Sequence, residues 1–216
     1  MTDEEVAGYL QVHPEFFEQH AEVLARISLP HPQHDGRAVS LAERQLLQLR
    51  ERTQVLEAKL HELVSFGEEN DAISERLHRA TVALIRAEGL QPLLQALYFN
   101  LREDFAVPHI AVRLWNESNG RDLPEFSAVS EETRVFAQSL ANPYCSHKAM
   151  FDSAEWFGEA APLLRSYAYV TLRGDDAAFG LLALASEDPK RFYAEMGTLY
   201  LKRLGEIVSA ALERYL

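Results

Sequence analysis

Between Leu41 and Glu88 the apolar residues recur in alternating steps of four and three. The seam runs Ala42, Leu46, Leu49, Thr53, Leu56, Leu60, Leu63, Gly67 and Asn70, the heptad rule of a coiled coil. No proline lies between Pro32 and Pro92, and Gly67 is the only glycine between Gly36 and Gly89. Ser40 suits an N-cap, with Glu43 three residues on. After Asn70 the stripe restarts at Ile73 and continues as Leu77, Ala80 and Leu84, a three-residue stammer that overwinds a coil locally. A helix over the 48 positions 41–88 would be about 72 Å long. That exceeds the width of a small domain, so part of it should project or pair. The seam is narrow, which favours a homodimeric coil on Leu46, Leu49, Leu56, Leu60 and Leu63. The alternative is that Phe16, Phe17 and Leu24 fold back over the same stripe.

Ahead of the seam, Thr2 with Glu5 spells a capping box. Pro14 then restarts the chain at a first helical position, with Phe16, Phe17, His20, Val23, Leu24 and Ile27 at helical spacing. Two short helices are therefore expected over residues 2–28, followed by a connector from Leu29 to Gly36 that its prolines and glycine keep irregular. Beyond Glu88 the period changes. Leu90 to Phe105 reads as a helix. Ile110, Val112 and Leu114 alternate as a strand does, with Asn119-Gly120 as a hairpin signal and Phe126 to Val129 as the return strand. Glu131 to Leu140 reads as a helix, and residues 142–158 as irregular with a short helix near Trp156. Tyr167 to Leu172 and Phe179 to Ser186 read as paired strands around Gly174. Asp188-Pro189 should cap a last helix from Lys190 to Tyr215. The whole is α+β: a helical N-terminal region with a long coiled-coil-like helix, then an antiparallel sheet flanked by helices. The divisions fall at 1–40, 41–88 and 89–216.

Composition narrows the function classes. Net charge is −12, and the three segments hold 2 basic against 7 acidic residues, 7 against 9, and 12 against 17. No segment is basic and only four lysines are present, which disfavours nucleic acid and an anionic membrane surface as partners. The acidic start lacks the form of a signal peptide, and Leu181 to Ala185 is too short to cross a bilayer. A cytoplasmic protein is expected. A single cysteine, Cys145, excludes an internal disulfide and a Cys-rich zinc site. No G-x-G-x-x-G or G-K-[ST] phosphate loop and no G-x-S-x-G elbow occurs.

Several motifs carry a resemblance. His13-Pro14-Glu15-Phe16-Phe17, Leu29-Pro30-His31, Val39 to Gln45 and Leu49-Arg50-Glu51-Arg52 resemble the N-terminal signature of a bacterial family of unknown function, DUF484. Phe179 to Asp188, Phe192, Met196 to Leu201 and Leu204 look like its last strand and helix. The resemblance spans nearly the whole chain. It implies a GAF-like C-terminal domain and no established activity. The family tends to carry Cys-Gly where this chain has Cys145-Ser146, so a positive φ there would strain Ser146.

Candidate chemistry is sparse. In an extended segment Cys145 and His147 share a face, and a neighbouring imidazole could favour the thiolate; a lone buried cysteine explains the same residue. His13, His20, His31 and His34, with Asp35, lack metal-ligand spacing, so no metal is expected. On a GAF-like layout Arg113, Trp115, Tyr144, Cys145, His147, Trp156, Phe157 and Tyr169 would lie near the sheet and the segment covering it, where such domains hold small ligands. Aromatics with one arginine suit a planar or acidic ligand; ordinary core packing suits them too. The pattern of cyclic-nucleotide GAF domains is missing. The expected cofactor is unknown, with no metal or nucleotide motif. Three functions compete: a non-enzymatic sensor that signals through a dimerising helix, an interaction module without a ligand, and a thiol enzyme built on Cys145.

Overall fold

Thr2 and Glu5 close the capping box they spell. The Glu5 amide donates to the Thr2 hydroxyl at 3.3 Å, and the Thr2 amide to the Glu5 carboxylate at 2.8 Å. They start α1, Asp3–Val12. Pro14 enters α2, Glu15–Gln19, with helical φ and ψ. The computed structural model describes residues 2–21, 23, 28–30, 38–115, 122–175, 177–194 and 196–216. Leu24 and Ile27, where the second helix was expected to end, lie outside them, as do Asn119-Gly120, His31, His34 and Asp35. The chain divides into two units, Met1–Glu68 and Glu69–Leu216.

In the first unit, Tyr9, His13, Phe16 and His20 form a string of ring contacts, with centroids 4.6 Å apart for Tyr9–His13 and 4.9 Å for Phe16–His20. The expected irregular connector is not wholly irregular. Its ends form a two-stranded antiparallel ribbon, β1 (Ser28–Pro30) with β2 (Ala38–Ser40). Backbone pairing at Leu29–Val39 is compatible with the proline at the strand end, which donates no bond. Next comes α3, Leu41–Arg86, helical without interruption through Gly67 and Asn70. Leu46, Leu49, Leu56, Leu60 and Leu63 are 50–67% exposed. Phe16 and Phe17 do not cover them.

The second unit begins within α3, where Leu77, Ala80 and Leu84 turn inward and are buried. Gly89, at φ 114°, takes the chain from α3 into α4, Leu90–Glu103. Only glycine adopts that conformation without strain. Leu90, Leu93, Leu94, Leu97 and Leu101 give α4 a continuous buried face. Then follow β3 (His109–Leu114), a 3-10 turn at Pro124–Phe126, α5 (Glu131–Ser139), β4 (Tyr144–Ser146), a long 3-10 segment Phe151–Leu163 made of two pieces that break at Gly158, β5 (Ser166–Arg173), β6 (Ala178–Ser186) and α6 (Leu199–Glu213). The sheet order is β3-β6-β5-β4 with every pair antiparallel.

Three expectations differ, the first being the stretch 142–158, expected irregular, which contains the strand β4. Phe126 to Val129 is no return strand, and β3 pairs with β6 instead. Pro124 removes a ladder donor, and the Glu125 side chain is committed to Tyr98 at 2.8 Å. The last helix starts at Leu199, not Lys190. The Asp188 carboxylate accepts the Lys190 amide at 2.8 Å and its carbonyl the Arg191 amide at 3.2 Å. This turn sends Phe192 into the core, 4% exposed, so the described residues of 190–198 form a strap.

The sheet has two packed faces because strand side chains alternate. Val112, Leu114, Ala168, Val170, Leu182 and Leu184 meet α3, α4 and α6 in the larger core. Ala111, Tyr167, Tyr169, Leu181 and Ala183 meet α5 and the long 3-10 segment.

Candidate functional site

The second face carries most of the predicted residues, and the small side chains of β6 explain why they fit there. Ala183 and Ala185 leave room for the large rings of β5. Tyr167 and Tyr169 lie parallel, with an interplanar angle of 6° and centroids 6.4 Å apart. Tyr144 is registered opposite Tyr169, and Phe136 of α5 stands edge-on to both at 5.8 Å. Phe157 approaches Tyr167 at 6.1 Å. Tyr169 is 0% exposed. Its hydroxyl accepts the Met150 amide at 2.9 Å and bonds the Ser153 hydroxyl at 2.7 Å. It is thereby committed to holding the covering segment in place.

Arg113 is a cation drawn into this face. Its guanidinium lies over the Trp156 ring, 5.1 Å from the centroid. One Nη donates to the Val112 carbonyl at 2.9 Å, while Nε is buried without a hydrogen-bond partner. Burial lowers its pKa, opposed by the nearby Tyr98, Glu125 and Asp152. A desolvated guanidinium with an unused donor is suited to an acceptor or a planar group.

Of the other predicted residues, Trp115 packs at the edge of this same core, while Cys145 and His147 part company with it. Trp115 uses its indole N–H on the Ala178 carbonyl at 2.9 Å. It borders a cavity of about 400 Å³ shared with Asp175, Phe179, Glu213 and Leu216. Cys145 points to the opposite face and is 4% exposed, within the larger core. Burial pushes its thiol up to about 11. His147 is exposed beyond the end of β4 and does not activate that thiol. The expectation that the two share a face is therefore corrected: the strand ends at Ser146. A thiolate nucleophile needs a lowered pKa and access, and Cys145 has neither. Ser146 itself lies in β4 opposite Tyr167 and is not among the positive-φ residues, Ala106 and Phe151. The anticipated strain is absent at that position.

Sequence reasoning passed over a set of polar residues bordering Arg113. Tyr98 donates to Glu125, which is 8% exposed. Burial and this bond raise the Tyr98 pKa. Asp152 accepts from the Ser130 amide at 3.2 Å, the Ser130 hydroxyl at 2.9 Å and the Thr133 hydroxyl at 2.5 Å. Burial opposes its ionisation, but these bonds hold its pKa below the usual value. Ser130 in turn caps α5 through the Thr133 amide at 3.2 Å. A Ser-x-x-Thr step before a helix was a visible signal for the cap. Nothing local marks Glu125 or Tyr98, which meet across 27 positions.

Among the described residues no group of three or more His, Cys, Asp or Glu could hold a metal ion. No described helix is long and apolar enough to cross a membrane. His13 pairs locally with Glu15 at 2.9 Å.

Comparison with known proteins adds family context. The family model described as "Protein of unknown function, DUF484" matches residues 1–216. The chain is similar to the uncharacterised protein YigA of Salmonella typhimurium, 24% identical over 226 residues, covering 100% of this chain and 93% of that protein. It is similar to YigA of Escherichia coli at 24% identity over 229 residues, with coverage of 100% and 93%. A solved structure, the GAF domain from an Acinetobacter phosphoenolpyruvate-protein phosphotransferase, aligns with a TM-score of 0.49 at 17% identity, covering 65% of this chain and 92% of that one.

Proposed function

The chain belongs to the family of unknown function DUF484, and on that premise we propose a non-enzymatic, GAF-like sensor or coupling protein of the cytoplasm, working as a homodimer. One observation carries this reading. The helix α3 exposes its leucine seam from Leu46 to Leu63, while the same helix buries Leu77 and Leu84 in the core of the sheet unit. Exposed leucines at a and d positions are stabilised by a second helix. A helix built into one core and paired with another chain is a physical route for coupling the two. Sedimentation equilibrium of the full chain at micromolar concentration tests it. A dimer is expected; a monomer across that range removes the coupling mechanism.

A second reading is an interaction module without a small ligand. The packed aromatic face favours it, since Tyr169 is fully buried and its hydroxyl is committed to Met150 and Ser153. Native mass spectrometry of protein purified from its host separates the two. A co-purifying small molecule supports the sensor.

A further inference from the structure

On the sheet face opposite Tyr169, a cavity of about 500 Å³ lies among α3, α4, β6, α6 and the strap that follows Asp188. This is within the range of roughly 300–1,000 Å³ typical of small-molecule sites. Its walls are apolar, with Leu101, Phe105, Leu184, Phe192, Met196 and Leu204 contributed by separate elements. Three cations also line it, Arg76, Lys190 and Arg191, against one acid, Asp188.

That balance is unusual for a chain of net charge −12. Asp188 is already used, because its carboxylate accepts the Lys190 amide at 2.8 Å. Arg191 spends one Nη on the Phe105 carbonyl, tying the strap to the end of α4. Neither Arg76 nor Lys190 has an ion-pair partner among the described residues. The apolar walls are unsuited to a sugar or a nucleotide, whose polar groups would lose water without gaining bonds. The unpaired cations are wasted on a neutral hydrocarbon.

We propose that this cavity binds an amphipathic anion, a molecule with an unbranched apolar chain and a single anionic head such as a carboxylate. The chain would lie against Leu101, Phe192 and Leu204, with the head facing Arg76 and Lys190. This assigns a ligand class to the sensor reading and rests on that reading for its role. The binding is measured independently of oligomeric state, so failure of one leaves the other standing.

The test titrates the full-length protein with decanoate, with 1-decanol, and with phosphatidylglycerol vesicles, followed by calorimetry and by vesicle co-sedimentation. Decanoate should bind saturably below its micellar range, once per chain. Decanol should bind more weakly by roughly tenfold or more, a difference of at least ~1.4 kcal/mol. The double variant Arg76→Gln/Lys190→Gln changes only surface charges, and its unfolding midpoint should match the parent. It should weaken decanoate by a similar factor and leave decanol unchanged. Met196→Trp, which fills the cavity, should weaken both. The proposal is overturned if decanoate does not saturate, if decanol binds equally well, or if the charge variant binds decanoate like the parent. Binding to vesicles without binding to monomeric decanoate also overturns it, and points to a headgroup site on the surface.

Discussion

Gly205 of α6 sits directly on Val170 of β5, so close that a Cβ at position 205 would overlap the valine Cγ1. Glycine inside a helix ordinarily costs about 0.5–1 kcal/mol relative to alanine. Here it lets the helix seat on the sheet. Gly205→Ala should destabilise the second unit by about 1–3 kcal/mol, the usual scale of overpacking. Gly67, inside α3, has nothing within 4 Å of its would-be Cβ. Gly67→Ala should stabilise by about 0.5–1 kcal/mol. Urea unfolding of the two variants, with opposite signs, checks both.

Tyr98→Phe should cost about 2 kcal/mol, because it strips a hydrogen bond from the buried Glu125 carboxylate. The same tyrosine makes the fold sensitive to alkali. Burial raises the Tyr98 and Tyr169 pKa values above 10.0, so the folded state keeps protons that the unfolded chain releases. Their contribution is complete below pH 10 and is lost as pH rises beyond it. Unfolding midpoints measured through this range should fall in the parent and fall less steeply in Tyr98→Phe.

At the other end of the pH scale, Asp152 works in the opposite sense. Its pKa is below 3.8 in the fold, so its contribution is present above that value and is lost as pH falls below it. Asp152→Asn should flatten acid unfolding. Ser130→Ala, which removes the cap on the Thr133 amide, should cost about 1 kcal/mol at neutral pH. An unchanged acid midpoint in Asp152→Asn would falsify the assignment.

Cys145 should react slowly with iodoacetamide at neutral pH in the folded protein and rapidly once unfolded. Its pKa rises from 9.0 to about 11 through burial. The linked stability is complete below pH 9.0 and declines as pH rises towards about 11. Fast native-state alkylation would restore the thiol chemistry that the geometry opposes.

Replacing Leu56 and Leu60 together by alanine should raise the dissociation constant of the proposed dimer by at least roughly a hundredfold. Burying each leucine is worth about 1.5–3 kcal/mol. Both side chains are already exposed in the single chain, at 59% and 62%, so the circular dichroism of the sheet unit should not change. A parent and variant of equal sedimentation behaviour would remove the seam as an interface.

Local chemistry was legible wherever one residue acts on its near neighbours. Thr2 and Glu5 spelled their capping box, the leucine period spelled α3, alternation spelled β3, and two apolar runs around the Gly174 turn spelled β5 and β6. These follow from the 3.6- and 2-residue periods and need no partner from elsewhere. Where the pattern misled, a distant contact had overridden it. Lys190 to Thr198 has helical texture, yet the core takes Phe192 and the Phe105 carbonyl holds Arg191. Phe126 to Val129 has strand texture, yet Glu125 is held by Tyr98.

The sequence by itself determined the α+β class, the seamed helix, the acidic charge and the membership of its family. It also picked out Arg113, Trp156 and Tyr169 as residues near the covered face. Only the tertiary structure decided which of the candidates meet. Strand alternation sent Cys145 to the opposite core and the end of β4 at Ser146 left His147 in solvent, whereas Tyr98, Glu125 and Asp152 came to Arg113 from three separate elements. The same is true of the strap cavity, whose apolar walls and unpaired cations are separated along the chain by more than a hundred positions, from Arg76 to Leu204. Proximity of that kind comes from closing the sheet against its helices, and no local period encodes it.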